Sequence, residues 1–567
     1  MAITLFHNGQ VFLGEQEGEA DRSRPDRSRP GHARPDREPA FAEALVVDAG
    51  TILFVGTATE ASTAAEERAA ETGTAVTEVD LEGRLVLPGF VDGHAHILGT
   101  GEALARVPLT DAGDLDEIRS RLVAAREADP QAPRILGRGW LFDAVPGNAP
   151  TAAMIDEVIP DIPVYLDAND YHSCWVNSAA LAEMGIDRET PDPVGGEIER
   201  DANGDATGML YETAAGEFAW NHLDEVSDEA SEDDALERVF TAYLEAGVTT
   251  AVDMGLGEVD LAAFARARER HGGELPMNVI AHWRVNNTGD RSRNLAQVDR
   301  AIDLARAGMP SGLRVAGIKC IIDGTIDACT ATMSEPFTNG RNADPIWPLA
   351  DLEPVVVAAD AADLQIALHA IGDEAIDIAI RALESAVRVN GEKPRRHRIE
   401  HLEYAAPGTA ERLAALGITA SMQPVHTDAA IRDNWTELVG PERARRGFAW
   451  PEYEDAGALL AFSTDTPTAP HEALPNLYIA TTRKSALDPS LAANEPELAV
   501  GLTAAILHAT RDAAIASGEG ERRGALRPGF AADLTVLDAD PFVLGLDSLR
   551  EGTVRMTMVA GQVVHRH

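Results

Sequence analysis

Two periods of apolar spacing alternate along this chain. Short apolar runs of strand length occur at 85–91, 247–254, 277–285, 313–322, 364–370, 396–402, 417–423 and 458–464. Stretches with helical spacing lie between them at 258–271, 294–307, 351–363, 373–389 and 407–416, and the last run is followed by helical stretches near 472–486 and 501–516. Apolar runs separated by amphipathic helices read as βαβ units on a parallel sheet. Eight of them predict a (β/α)8 TIM barrel, an α/β fold, over 85–519. The interval from about 100 to 235 is too long for a loop, so it predicts a subdomain inserted after the first barrel strand.

The two ends read differently. Residues 3–13, 44–57, 532–537 and 556–564 have strand character. They predict one small β-sandwich domain built from 1–84 together with 520–567. The charged segment 15–40 carries a tandem Asp-Arg-Ser-Arg-Pro at 21–25 and 26–30, which predicts a mobile loop with no assigned role.

Composition narrows the class. Against 48 Lys+Arg stand 93 Asp+Glu, a formal net charge of −45 spread along the whole chain. Such a surface repels nucleic acid and anionic membranes, so neither is expected as a partner. Lysine occurs only at Lys319, Lys393 and Lys484; acid-rich, lysine-poor composition resembles that of proteins from salt-loving organisms. Three cysteines, Cys174, Cys320 and Cys329, make no disulfide framework and no Cys-rich metal motif. No signal sequence or membrane span is evident, and a cytoplasmic protein is the expectation. An acidic barrel can form a homodimer, but oligomeric state is not readable.

The chemistry sits where the apolar runs end. The first run finishes in Gly89-Phe-Val-Asp-Gly-His94-Ala-His96, the fourth contains Lys319 and Asp323, the fifth ends in His369-Ala-Ile-Gly-Asp373, the sixth in Glu400-His401 and the eighth in Ser463-Thr-Asp465. In a barrel these ends converge on one rim. Side chains at i and i+2 of a strand share a face, so His94 and His96 can converge on one ion. Each residue has an ordinary alternative. The two histidines can be surface residues, Lys319 a buried lysine paired with Asp323 or another acid, His369 and His401 hydrogen-bonded core histidines, and Asp465 a turn or cap residue. The joint pattern favours the metal reading.

In this order the motifs resemble the amidohydrolase superfamily, and their phrasing is similar to the YtcJ-like branch, which includes N-substituted formamide deformylase. The likeness extends over nearly the whole chain, including Tyr171-His-Ser-Cys-Trp-Val-Asn-Ser178 and Gly524-Ala-Leu-Arg-Pro-Gly-Phe-Ala-Ala-Asp-Leu534. The resemblance implies two divalent metal ions. His94 and His96 would hold the more buried one, His369 and His401 the second, and Lys319, carboxylated by CO2, would bridge them. Asp465 would be a ligand and the catalytic proton shuttle. Nitrogen and oxygen ligands suit zinc, with iron, manganese and cobalt open. Glu400 and Asp373 are expected to orient ring nitrogens, or else to be ordinary strand-end and helix-start carboxylates. Arg138, Trp140, His172, Trp175, Asn177 and Gln423 match places where relatives meet substrate, although Trp140 and Trp175 can equally pack inside the insert. The implied activity is hydrolysis of a non-peptide C–N bond in a small molecule: an amide, an N-substituted formamide or a cyclic imide. A lactone or phosphoester hydrolase on the same fold and a non-catalytic regulatory protein are the alternatives.

Overall fold

Gly89 divides the first apolar run into two strands that belong to different sheets. A Cβ at this position would lie 2.2 Å from Thr249 Oγ1, so only glycine lets the chain pass this close. In the computed structural model, which describes residues 3–16, 37–169, 171–308, 312–430, 432 and 434–567, Leu85–Pro88 pairs antiparallel with Leu534–Leu537 outside the barrel. The first barrel strand starts only at Phe90, five residues later than the run at 85 suggests. Apolar side chains continue through both strands, so periodicity alone does not mark the break.

The eight barrel strands are β1 (Phe90–Ala95), β2 (Val248–Leu256), β3 (Asn278–Arg284), β4 (Leu313–Ile321), β5 (Gln365–Ala370), β6 (Arg398–His401), β7 (Thr419–Met422) and β8 (Leu460–Phe462). They pair in parallel in sequence order. The ring is joined beyond β8 by backbone bonds from Asp465 N to His94 O (2.8 Å) and from His96 N to Thr466 O (2.9 Å). These two bonds set the His-x-His segment beside Asp465. Helices Glu258–Arg270, Arg291–Ala307, Leu349–Ala361, Asp373–Asn390 and Thr409–Leu416 follow β2 to β6 as the spacing predicts. Their apolar faces join the main core with the outward side chains of the strands.

Both chain ends build the β-sandwich. A six-stranded sheet runs Gln562–Arg566, Val554–Val559, Leu534–Leu537, Leu85–Pro88, Gln10–Glu15, Pro39–Ala42, and a four-stranded sheet holds Ile3–His7, Ala44–Asp48, Thr51–Gly56 and Val76–Asp80. Phe6, Val11, Leu45, Val86, Leu534 and Met556 meet between them. Most of the charged segment expected to be a mobile loop, 17–36, lies outside the described residues.

The insert carries its own six-stranded sheet between Val107 and Glu212, with a separate core around Trp140, Trp175, Leu122 and Ile135. Its expected end at 235 falls inside the helix Glu229–Glu245, whose Leu236, Val239 and Phe240 pack into the barrel core. Among the described residues, no helix is long and apolar enough to cross a membrane.

Candidate metal centre

The C-terminal ends of β1, β4, β5, β6 and β8 bring all six expected ligands to one rim. His94, Lys319, His369, His401 and Asp465 are each at most 5% exposed. Asp465 is the hub. Its Oδ1 lies 3.1 Å from His94 Nε2 and 3.3 Å from His96 Nε2, and its Oδ2 lies 3.9 Å from His401 Nδ1. Lys319 Nζ is 3.2 Å from His94 Nε2. The His369 and His401 rings are 4.3 Å apart, and those of His94 and His401 5.0 Å.

This donor set fits divalent cations. Asp465 Oδ1 and His401 Nδ1 are buried, yet neither makes an aligned hydrogen bond. Such unsatisfied buried atoms cost roughly 1–3 kcal/mol each unless something else meets them. Ligand atoms of His94, His401 and Asp465 lie within 4.8 Å of one another, a span one cation can bridge. Burial holds the His369 and His401 imidazoles well below their ordinary pKa, with neighbouring positive charge adding to the effect, so both rings are neutral and able to ligate. Burial alone would raise the Asp465 carboxyl, but the surrounding histidines hold it well below the usual range. Burial lowers the Lys319 amine to about 8.

Two of these residues sit on strained backbone: φ is 75° at His401 and 58° at Asp465. Non-glycine residues rarely adopt such angles, and where they persist they cluster at functional sites.

Partners behind the ligands fix their orientation. Glu400 Oε2 is 2.8 Å from His94 Nδ1, and Glu400 is held by Arg398 through bonds of 2.5 and 3.1 Å. Arg398 also donates to Gly93 O and Ser421 Oγ. Glu400 therefore orients a ring as expected, with the carboxylate leaving His94 Nε2 to face the cluster. Asp373 does not: its oxygens accept from the backbone N–H groups of Ser334 and Glu374 and from the Ser334 hydroxyl, a loop and helix-start role. The Lys319–Asp323 pairing weighed from sequence is also absent, since Asp323 accepts from the N–H groups of Thr332, Ile371 and Gly372 and so ties down the loop after β5.

The pocket residues divide. His172 of the insert reaches the rim, with its ring 5.1 Å from that of His369 and its Nδ1 2.6 Å from Glu212 Oε2. Gln423 is buried at the end of β7, its Nε2 bonded to Ser463 Oγ and its Oε1 without a partner. Arg138 is half-buried within the insert strand Ile135–Trp140, and its Nε lacks a hydrogen bond. Trp140, Trp175 and Asn177 build the insert instead. The two indoles are fully buried 5.4 Å apart, donating to Leu166 O and Thr151 O. Asn177 caps the helix Ser178–Met184 and donates to Ile159 O and Ile162 O. No polar atom of these three is left for a substrate except through the bonds that hold the fold.

Sequence reasoning missed His426. It stacks on His401 at 5.8 Å, and its Nε2 lies 3.1 Å from Thr468 Oγ1 and 3.7 Å from Asp465 Oδ2. Glu403 holds its Nδ1 at 3.1 Å. The available signal was its place just beyond β7, where polar residues face the rim.

With this geometry in place, comparison with known proteins is specific. Residues 77–565 match the model of the amidohydrolase family. The chain is 30% identical to the putative amidohydrolase YtcJ of Bacillus subtilis (strain 168) over 502 residues, covering 86% of this chain and 90% of that protein. It is 29% identical to N-substituted formamide deformylase of Arthrobacter pascens over 542 residues, covering 93% and 95% of the two chains. Its fold is similar to that of an uncharacterized metal-dependent hydrolase from Pyrococcus horikoshii OT3, with a TM-score of 0.72, 24% identity and coverage of 96% and 99%. The chain belongs to the amidohydrolase family, in the branch of YtcJ and N-substituted formamide deformylase.

Proposed function

We propose that this protein hydrolyses a non-peptide C–N bond in a small molecule (an amide, an N-substituted formamide or a cyclic imide), using divalent cations held by His94, His96, Lys319, His369, His401 and Asp465. The observation that carries this reading is the buried convergence of Asp465 Oδ1 and His401 Nδ1, neither in an aligned hydrogen bond, among histidine rings kept neutral by burial. Divalent cations held there, zinc being the best match to these donors, would supply an activated water and polarise the carbonyl. The lowered amine of Lys319, 3.2 Å from His94, suits the carboxylated form that would link two ions.

The chain's own groups do the rest. Asp465 is held ionised between three imidazoles, so its carboxylate can accept the proton of the attacking water. The same carboxyl then returns that proton to the departing nitrogen as the C–N bond breaks. The water oxygen ends on the acyl carbon, and the products are a carboxylic acid and an amine. His172 and Gln423 flank this space and would contact the acyl group. The name of the Arthrobacter relative makes N-substituted formamides the first panel to try.

The test is release of formate and amine from N-alkyl and N-aryl formamides, measured beside Asp465→Asn. Turnover by the wild type that falls about 10³-fold or more in the variant is expected. A wild type that holds metal yet cleaves no amide, formamide or imide would overturn the C–N assignment.

A further inference from the structure

Arg284 is the last residue of β3 and the register partner of Lys319 on β4. Residues paired across parallel strands project to the same side of the sheet. Lys319 points inward to the metal cluster, so Arg284 also points into the barrel mouth, at the level of the ligands. Its neighbours agree. Trp283 faces outward, under the Arg300 guanidinium at 5.7 Å, and His282 lies inside the barrel with its Nε2 3.0 Å from Gln365 Oε1.

The guanidinium reaches up from the rim towards the insert. Its Nη2 lies 3.8 Å from where a Cβ on Gly216 would be, on the π-helix Ala215–Trp220. Single π-turns are uncommon and recur at functional sites. Arg284 Nε donates to Asn286 Oδ1 at 3.1 Å. Asn286 is itself fixed by Gln297, whose Oε1 accepts from Asn286 N and whose Nε2 donates to Asn286 O, both at 2.9 Å. The side chain is thus aimed, with Nε held by Asn286 and Nη2 turned towards Gly216.

Among the described residues no carboxylate lies within ion-pair distance of it, although most arginines of this acid-rich chain are paired. Burial pulls its pKa down, and Asp224 and Asp260 act on it only from a distance. Burial, followed by the nearby Asp253, pushes the Asp260 carboxyl up to about 8, so at neutral pH Asp260 is mostly protonated and offers little countercharge. A half-buried, aimed guanidinium without an ion-pair partner at an active-site mouth is half of an ion pair.

We propose that Arg284 binds an anionic group of the substrate, a carboxylate in the first instance, and so selects acylated amino acids or similar amides over neutral ones. The proposal rests on the amide-hydrolase reading for the meaning of the pocket, but its test does not depend on turnover.

The experiment measures binding to the metal-loaded protein by calorimetry. The probes are N-acetylglycine, N-acetyl-β-alanine and N-acetyl-γ-aminobutyrate, each against the N-alkylacetamide of the same length. At least one carboxylate is expected to bind roughly tenfold or more tightly than its neutral counterpart, and Arg284→Gln should erase that difference while leaving metal content and neutral-amide binding unchanged. Arg284→Lys should keep part of it, because the charge remains but the bidentate fork is lost. Equal binding of charged and neutral members at all three lengths overturns the proposal, as does a preference that survives in Arg284→Gln. If the preference is present and depends on Arg284 while the metal-loaded protein cleaves no amide, formamide or imide, the anion site stands and the C–N hydrolysis reading fails.

Discussion

At the scale of single residues, the site is a set of imidazoles whose outer nitrogens are tied down so that the inner ones converge. Glu400 does this for His94 and Glu403 for His426. Glu400→Gln keeps the shape but removes the charge that polarises His94. It should lower metal affinity about 10–100-fold, read as metal retained by the folded protein after dialysis against a chelator series, and it should also cost stability because Arg398 loses its buried countercharge. Unchanged retention would mean that the Arg398–Glu400 pair serves packing alone. The convergence of the candidate ligands was legible in the sequence because each stands at or near the end of an apolar run, and the order of the runs sets the rim. Trp140, Trp175 and Asn177 stayed ambiguous in the sequence because aromatic and amide side chains serve a pocket and a packed core equally well; their bonds to Leu166 O, Thr151 O and Ile162 O favour the core. Arg284 was illegible for a different reason. Its inward direction follows from its register with Lys319, and register is a property of paired strands.

At the scale of elements, the eight strands and the helices after β2 to β6 follow the hydrophobic spacing closely. The break at Gly89 does not, because it is set by the approach of Thr249 from another strand. The entry to β6 depends on Asp360. Its buried carboxylate, on the helix Leu349–Ala361, takes bonds from Arg395 (2.9 and 3.0 Å), His397 (2.9 Å) and Asn390 (2.8 Å). Asp360→Asn removes the charge and leaves the half-buried Arg395 and Lys393 facing an amide, which should destabilise the fold by about 1–3 kcal/mol in denaturant titrations. Burial alone would raise this carboxyl, but the Arg395, Asn390 and His397 bonds hold it well below the usual carboxylate range. A depressed folded pKa means that the stabilisation is complete above the unfolded value of about 3.9 and is lost as pH falls towards the folded one. The variant should therefore show a flatter loss of stability than the wild type below about pH 4. Parallel acid limbs in the two proteins would contradict this.

The helix carrying Gly101 illustrates a closer constraint. A Cβ there would lie 2.0 Å from Ala235 O, on the helix Glu229–Glu245 that packs against it. Gly101→Ala must push these helices apart and should cost about 1–3 kcal/mol, read from the midpoint of urea unfolding. A gain in stability, as expected from helix propensity alone, would mean that the contact yields easily.

At the scale of the whole molecule, charge dominates. A formal net charge of −45 on 567 residues makes the folded surface repel itself, and salt screens that repulsion. The unfolding temperature should rise steadily as KCl is raised from about 0.1 to 2 M. A flat or falling profile would remove the halophilic reading of the composition.

The central claim is that six side chains from β1, β4, β5, β6 and β8 hold metal, with Lys319 linking the ions. The measurement is metal content by mass spectrometry of protein purified in high salt, wild type beside Lys319→Ala. About two ions per chain in the wild type, falling in the variant, is the predicted result. One ion in both would make Lys319 a buried structural lysine in a mononuclear site, and no metal in either would contradict the account.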